Sequence, residues 1–117
     1  MDRDKLPEWV YGMNCAVTVV DADCHIIYMN ERSRQTFANR GGGELIGHNI
    51  IDYHNERSRE IIRRLLREGG SNAYTIEKDG LRKMIYQTVW HKADGMIGGL
   101  VELSMIIPET MPHYVRK

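Results

Sequence analysis

The chain has 117 residues, of which 42% are apolar and 27% charged, enough for a single domain around one core. Sixteen Lys and Arg balance sixteen Asp and Glu, so the basic surplus needed to bind nucleic acid through its phosphates is missing, and no nucleic-acid role is expected. No run approaches the ~20 apolar residues of a membrane-spanning helix, and Met1-Asp2-Arg3-Asp4-Lys5 leads into no signal-peptide core, so a cytoplasmic protein with no membrane partner is expected.

The first 14 residues read as a flanking segment. Leu6-Pro7-Glu8-Trp9-Val10-Tyr11-Gly12 predicts a short helix or turn, with Pro7 at its first position and Gly12 closing it. Ala16 to Val20 is β-branched and uninterrupted, a buried strand. Asp21-Ala22-Asp23 is turn chemistry, and Ile26 to Met29 returns as a second strand, giving a hairpin. Asn30 offers an N-cap for a short helix from Glu31 to about Asn39, stopped by Gly41-Gly42-Gly43. Glu44 to Gly47 supplies one helical turn, and His48 to His54 is a loop or second short turn.

Asn55 caps the strongest helix, Glu56 to Arg67, whose Ile61, Ile62, Leu65 and Leu66 form one apolar face. Gly69-Gly70 ends it. Three strands follow, at residues 73–77, 83–91 and 97–107, with hairpin signals at Asp79-Gly80 and Asp94-Gly95. The strand 83–91 presents Met84, Tyr86, Thr88 and Trp90 on one face and Ile85, Gln87, Val89 and His91 on the other. The last strand divides Val101, Leu103 and Met105 from Leu100, Glu102 and Ser104. Pro108 ends it, and residues 108–117 form an extended tail. Hairpin-paired strands with helices gathered between them define an α+β fold, a five-stranded antiparallel sheet with short helices covering one face.

Residues 16–23 leading to Ile26-Ile27-Tyr28-Met29-Asn30-Glu31, then Glu44-Leu45-Ile46-Gly47-His48 and Gly98-Gly99-Leu100-Val101-Glu102-Leu103, resemble in order and spacing the PAS sensor domain, over roughly residues 8–107. The resemblance implies a PAS-like sheet in the order 2-1-5-4-3, a ligand cavity over one face, and a homodimer through the N-terminal segment. Among cofactors it leaves haem as a possibility. It also excludes a flavin–cysteinyl adduct, since 48–58 has no cysteine while Cys15 and Cys24 lie in the first hairpin.

For a cavity, the candidate lining residues are Tyr28, Ile50, Tyr53, His54 and Ile62, together with Tyr86, Thr88 and Trp90 of one strand and Val101 and Leu103 of the next. Periodicity does not say which face of 83–91 turns inward, and hydroxyl and indole groups suit either a pocket or packing. No metal site is expected among the protein's own residues. If haem binds, His54 is the axial candidate and His48 the second choice, without covalent attachment because no Cys-x-x-Cys-His occurs. His54 equally suits a cap at the following helix or a hydrogen bond to Asp52. Asp52 with His54 is the one candidate acid–base pair, and no catalytic constellation accompanies it, so an enzyme is not expected. The expectation is a stand-alone bacterial sensory domain that binds a small ligand. With nine residues after Pro108, its output is expected to pass through a separate signalling protein.

Overall fold

The computed structural model describes residues 7–117. The part of the flanking segment before Pro7, including Leu6, therefore lies outside the described residues. Five strands form one antiparallel sheet in the order β2-β1-β5-β4-β3: β1 (Ala16–Asp21), β2 (Ile26–Met29), β3 (Ser71–Lys78), β4 (Leu81–His91) and β5 (Ile97–Ile107). Helices α1 (Glu8–Tyr11), α2 (Glu31–Thr36) and α3 (Glu56–Glu68) flank it, with 3-10 turns at Ala38–Arg40, Gly42–Leu45 and Ile50–Tyr53. The expected first helix stops short of Asn39 because Gly41 and Gly42, at φ 116° and 54°, tighten the chain into 3-10 turns. Pro7 is the residue before α1 rather than its first position.

Both longer helices begin as their sequences dictate. Asn30 accepts a hydrogen bond from Ser33 N at the start of α2, and Asn55 accepts from Ser58 N at the start of α3. Asn30 does more than cap. It is fully buried, its Oδ1 also accepts from Val17 N (2.9 Å), and its Nδ2 donates to Val10 O (3.0 Å) and Cys15 O (2.8 Å). One amide thus ties together α1, β1 and α2, with its donors and its acceptor all engaged.

The closed core lies where α3 meets the sheet. Ile62 and Leu65, each 1% exposed, pack with Val20, Met29, Val89 and Leu100. The free edge of β2 is covered by the turn that follows Leu45: Gly47 N donates to Ile26 O (2.8 Å), Ile26 N to His48 O (2.9 Å) and Ile50 N to Cys24 O (2.9 Å). That covering fixes the segment 47–54 over the inner face of the sheet.

On the outer face Trp90 lies flat across Gly98 and Gly99, where a side chain on either glycine would collide with the indole ring. Its Nε1–H donates to Val20 O at 3.0 Å. The glycine pair at the start of β5 is therefore the seat of a tryptophan.

Candidate functional site

Cross-strand register sorts the inner face into rows. Val89, Leu100 and Val20 stand opposite one another and close the core. The next row is polar: Asn72, Gln87, Glu102 and Thr18 stand in register across β3, β4, β5 and β1. After it come Tyr74, Ile85, Ser104 and Ala16. The polar row marks the boundary between the filled half of the interior and an open half.

The open half is a pocket of about 250 Å³. Its sheet side includes Thr18, Glu102, Ser104, Ile85, Tyr74 and Ile76, and its roof is made by Phe37, Leu45, Ile50, Tyr53 and His54. Lys78, Lys83 and Arg40 also line it, and none forms an ion pair among the described residues. Tyr53 and Tyr74, at 42% and 44% exposed, stand where the pocket opens to solvent.

Within the polar row most groups are partnered. Gln87 Oε1 accepts from Asn72 Nδ2 at 3.0 Å, and the Thr18 and Ser33 hydroxyls lie 2.6 Å apart. Glu102 makes no hydrogen bond among the described residues, and what remains accessible of it faces the pocket. Burial pushes its carboxyl above the ordinary carboxylate range, while His54, whose positive form favours the anion, draws it partly back.

His54 is held from two sides. Its Nδ1 lies 2.7 Å from Ile50 O, so in the neutral ring Nδ1 carries the proton and Nε2 keeps its lone pair. Arg59 Nε donates to Ile51 O (2.9 Å) and His54 O (2.8 Å), stapling the turn to α3. The helix cap is Asn55, not His54. Asp52 is exposed, shares no hydrogen bond with His54 among the described residues, and does not line the pocket.

Of the candidates taken from sequence, Ile50, Tyr53 and His54 come together at the pocket. Tyr86, Thr88 and Trp90 do not, nor do Val101 and Leu103. In register with one another, they lie on the outer face, because the pocket takes Lys83 and Ile85 from β4 and Glu102 and Ser104 from β5. The pleat alternates strictly, so choosing the wrong face displaced all five at once. Tyr28 pairs with Val19 on the outer face and is 2% exposed, while Ile62 belongs to the closed core. His48 is exposed, with Nδ1 3.0 Å from the Tyr53 hydroxyl, and is not a lining residue. Sequence reasoning missed Glu102, although a carboxylate between Leu100 and Ser104 in an otherwise apolar strand was its signal.

Haem can be tested against these residues. The donor fits, since His54 presents a free Nε2 oriented by a backbone carbonyl. The room does not: about 250 Å³ falls below the roughly 300–1,000 Å³ of pockets for drug-sized ligands, and a porphyrin is larger than those. For flavin, neither Cys15 nor Cys24 lines the pocket, and burial raises both thiols. Asp21, Asp23 and His25 bring potential ligand atoms within 4.8 Å of one another. Asp21 Oδ1 already accepts from the backbone N–H of Asp23 (3.0 Å) and His25 (2.9 Å), so the cluster locks the β1–β2 turn.

A strand order of 2-1-5-4-3 with a half-open pocket beneath short helices defines an α+β pocket-bearing fold. The PAS fold family model matches residues 11–73, more than half the chain, and the protein belongs to that family. Comparison with curated proteins gives no match. Among solved structures, the chain is similar to the Aer2 receptor of Vibrio cholerae, described as a dual PAS-heme oxygen sensor. There the TM-score is 0.64 at 21% identity, over 85% of this chain and 99% of that one. VqmA bound to DPO gives 0.69 at 14% identity over 85% of this chain, which spans 55% of VqmA. The PAS domain of the histidine kinase ThkA gives 0.63 at 15%, over 80% and 99%. These likenesses establish the fold. Among the described residues, no helix is long and apolar enough to cross a membrane.

Proposed function

We propose that the protein is a cytoplasmic, non-enzymatic sensory domain that binds a small molecule in the pocket beneath the 3-10 turns and passes its state to a partner protein. The observation that carries this reading is Glu102: a largely buried carboxylate lining a half-open, mostly apolar pocket with no hydrogen-bond partner among the described residues. A carboxylate drawn largely out of water without a protein partner is unfavourable, and a ligand N–H can stand in for the water that reaches it. A ligand bridging Glu102 and the roof would bias the segment 47–54, and through its bonds to β2 the packing of the sheet. The size of that response is limited by the ligand's differential affinity for the two arrangements.

Dimerisation belongs to the same reading. Trp9 on α1 is 71% exposed, an apolar anchor suited to a second copy. Sedimentation at micromolar concentrations is expected to show a dimer that Trp9→Ala dissociates; a strict monomer removes this element.

A second reading is haem with His54 as axial ligand. The free Nε2 favours it, as does the printed description of Aer2, and the size of the pocket opposes it. One experiment separates the two: native mass spectrometry beside an absorption spectrum, on protein expressed with haem supplied. A stoichiometric mass increment without a Soret band supports the small-ligand sensor. An increment with a Soret band that His54→Ala abolishes replaces it with the haem sensor. Bare mass, together with no saturable binding from a metabolite extract, overturns both.

A further inference from the structure

The charged side chains that line the pocket differ in sign: Glu102 against Lys78, Lys83 and Arg40, with His54, Thr36 and Tyr53 as further polar lining. Deep on β5 stands Glu102, flanked in register by Thr18 and Gln87. The hydroxyl of Thr18 is engaged by Ser33 and the amide oxygen of Gln87 by Asn72. Towards the ends of β3 and β4 stand Lys78 and Lys83. Lys83 pairs with Ile106, four residues beyond Glu102, which places the two backbone positions about 13 Å apart along the strand. Between them the wall is Ile85, Tyr74 and Ile76, facing Phe37 across the cavity.

We propose that the ligand of this pocket is a small organic acid with an apolar, ring-sized body and an N–H group at its far end: Glu102 accepts the N–H, and Lys78 and Lys83 hold the carboxylate. The proposal rests on the reading of the pocket as a ligand site. The body of the ligand is apolar because Ile85, Ile76 and Phe37 line the space between the two ends, beside the Ser104 and Tyr74 hydroxyls. The acid end is assigned to the lysines because, of the three cations that line the pocket without ion-pair partners among the described residues, they are the two carried by the sheet. Glu102, an acceptor when ionised, would repel that end. A neutral hydrocarbon would leave the carboxylate desolvated and unpaired, and a dianion with no N–H would leave the same defect.

Three probes of similar shape separate the two ends. Indole-3-acetate carries both an N–H and a carboxylate, 1-naphthaleneacetate lacks the N–H, and 3-methylindole lacks the carboxylate. Calorimetric titration of the whole protein is expected to show indole-3-acetate binding at least about tenfold more tightly than either of the others. Glu102→Met is expected to erase its advantage over 1-naphthaleneacetate while keeping its advantage over 3-methylindole. The double change Lys78→Met, Lys83→Met is expected to do the reverse. Circular dichroism of each variant confirms that it is folded.

Wild-type affinities within about threefold of one another, or an order unchanged in the variants, overturn the two-ended assignment and leave an apolar ligand site standing. Failure of all three probes to bind at millimolar concentration overturns the assignment, whereas the small-ligand reading falls only if the native mass is bare and a metabolite extract shows no saturable binding.

Discussion

Asn30 and Glu102 are both polar side chains set against the inner sheet, and they behave in opposite ways. Asn30 is sealed from solvent and its amide is bonded to four backbone groups. Glu102 sits beside a cavity with no hydrogen bond among the described residues. The first arrangement is what a fold uses to hold itself together, since each satisfied buried group costs nothing further. The second leaves a stabilising interaction for something outside the chain to supply. Set against one sheet are thus a polar side chain whose partners are all internal and another whose partners are not.

The contrast is sharpest where Asn30 is removed. Asn30→Ala strands Val17 N and Ser33 N without their acceptor and leaves Val10 O and Cys15 O without their donor. The expected loss is about 4 kcal/mol or more, read as a large fall in the urea midpoint. A loss below about 1 kcal/mol would mean that water replaces the amide and that the two side chains do not differ in this way.

Glu102→Gln is expected to act in the other direction, stabilising the ligand-free protein at neutral pH by on the order of 1 kcal/mol. Its pH dependence follows from the raised carboxyl. Between the ordinary glutamate value of about 4.3 and the raised value, the folded form binds more protons than the unfolded form, so stability falls as pH rises through that window. The penalty is complete above the raised value and absent below the unfolded one. Denaturation from about pH 4 to about pH 8 is expected to show this slope in the wild type and to lose it in Glu102→Gln.

Two smaller changes probe the outer face. Trp90→Phe keeps a ring over Gly98 and Gly99 but loses the bond to Val20 O, with an expected cost of about 1 kcal/mol, read from the thermal midpoint. Tyr28→Phe is expected to be neutral or slightly stabilising, within about 0.5 kcal/mol. Its hydroxyl is buried without a partner among the described residues. A clear destabilisation there would reveal a hidden bond and make Tyr28, like Asn30, a side chain that holds the fold together.

Much of the scaffold was legible because it is local. The strands 26–29 and 97–107, the turns at Asp21–Asp23 and Asp79-Gly80, and the caps at Asn30 and Asn55 are each specified by a few adjacent residues. Sheet order followed from the PAS resemblance rather than from the pattern. The candidate site was half legible. Ile50, Tyr53 and His54 fell on the roof because the turn before a strong helix must pack over the sheet. The floor was misread for a physical reason: both faces of β4 carry large apolar groups, so its pattern has no preferred side. The polar residues of β5 would ordinarily mark the solvent side of a strand. Here they mark the inside, because the inside is not full. Likewise, Asn30 reads as a helix cap, but its bonds to Val10 and Cys15 depend on where α1 comes to rest.

The strand that carries Glu102 is the last of the five in the chain and the middle one in the sheet. It joins two hairpins that cannot otherwise meet, and its pairing of Ala16 with Ser104 spans most of the sequence. The β1 edge of the first hairpin therefore has no sheet partner until β5 is in place, and a contact between distant parts of the chain completes the sheet. Neither a pocket floor nor a sheet exists before that moment. On the reading of the pocket as a ligand site, a bound molecule would favour only the chain in which β5 has paired, so binding and completion of the sheet are linked.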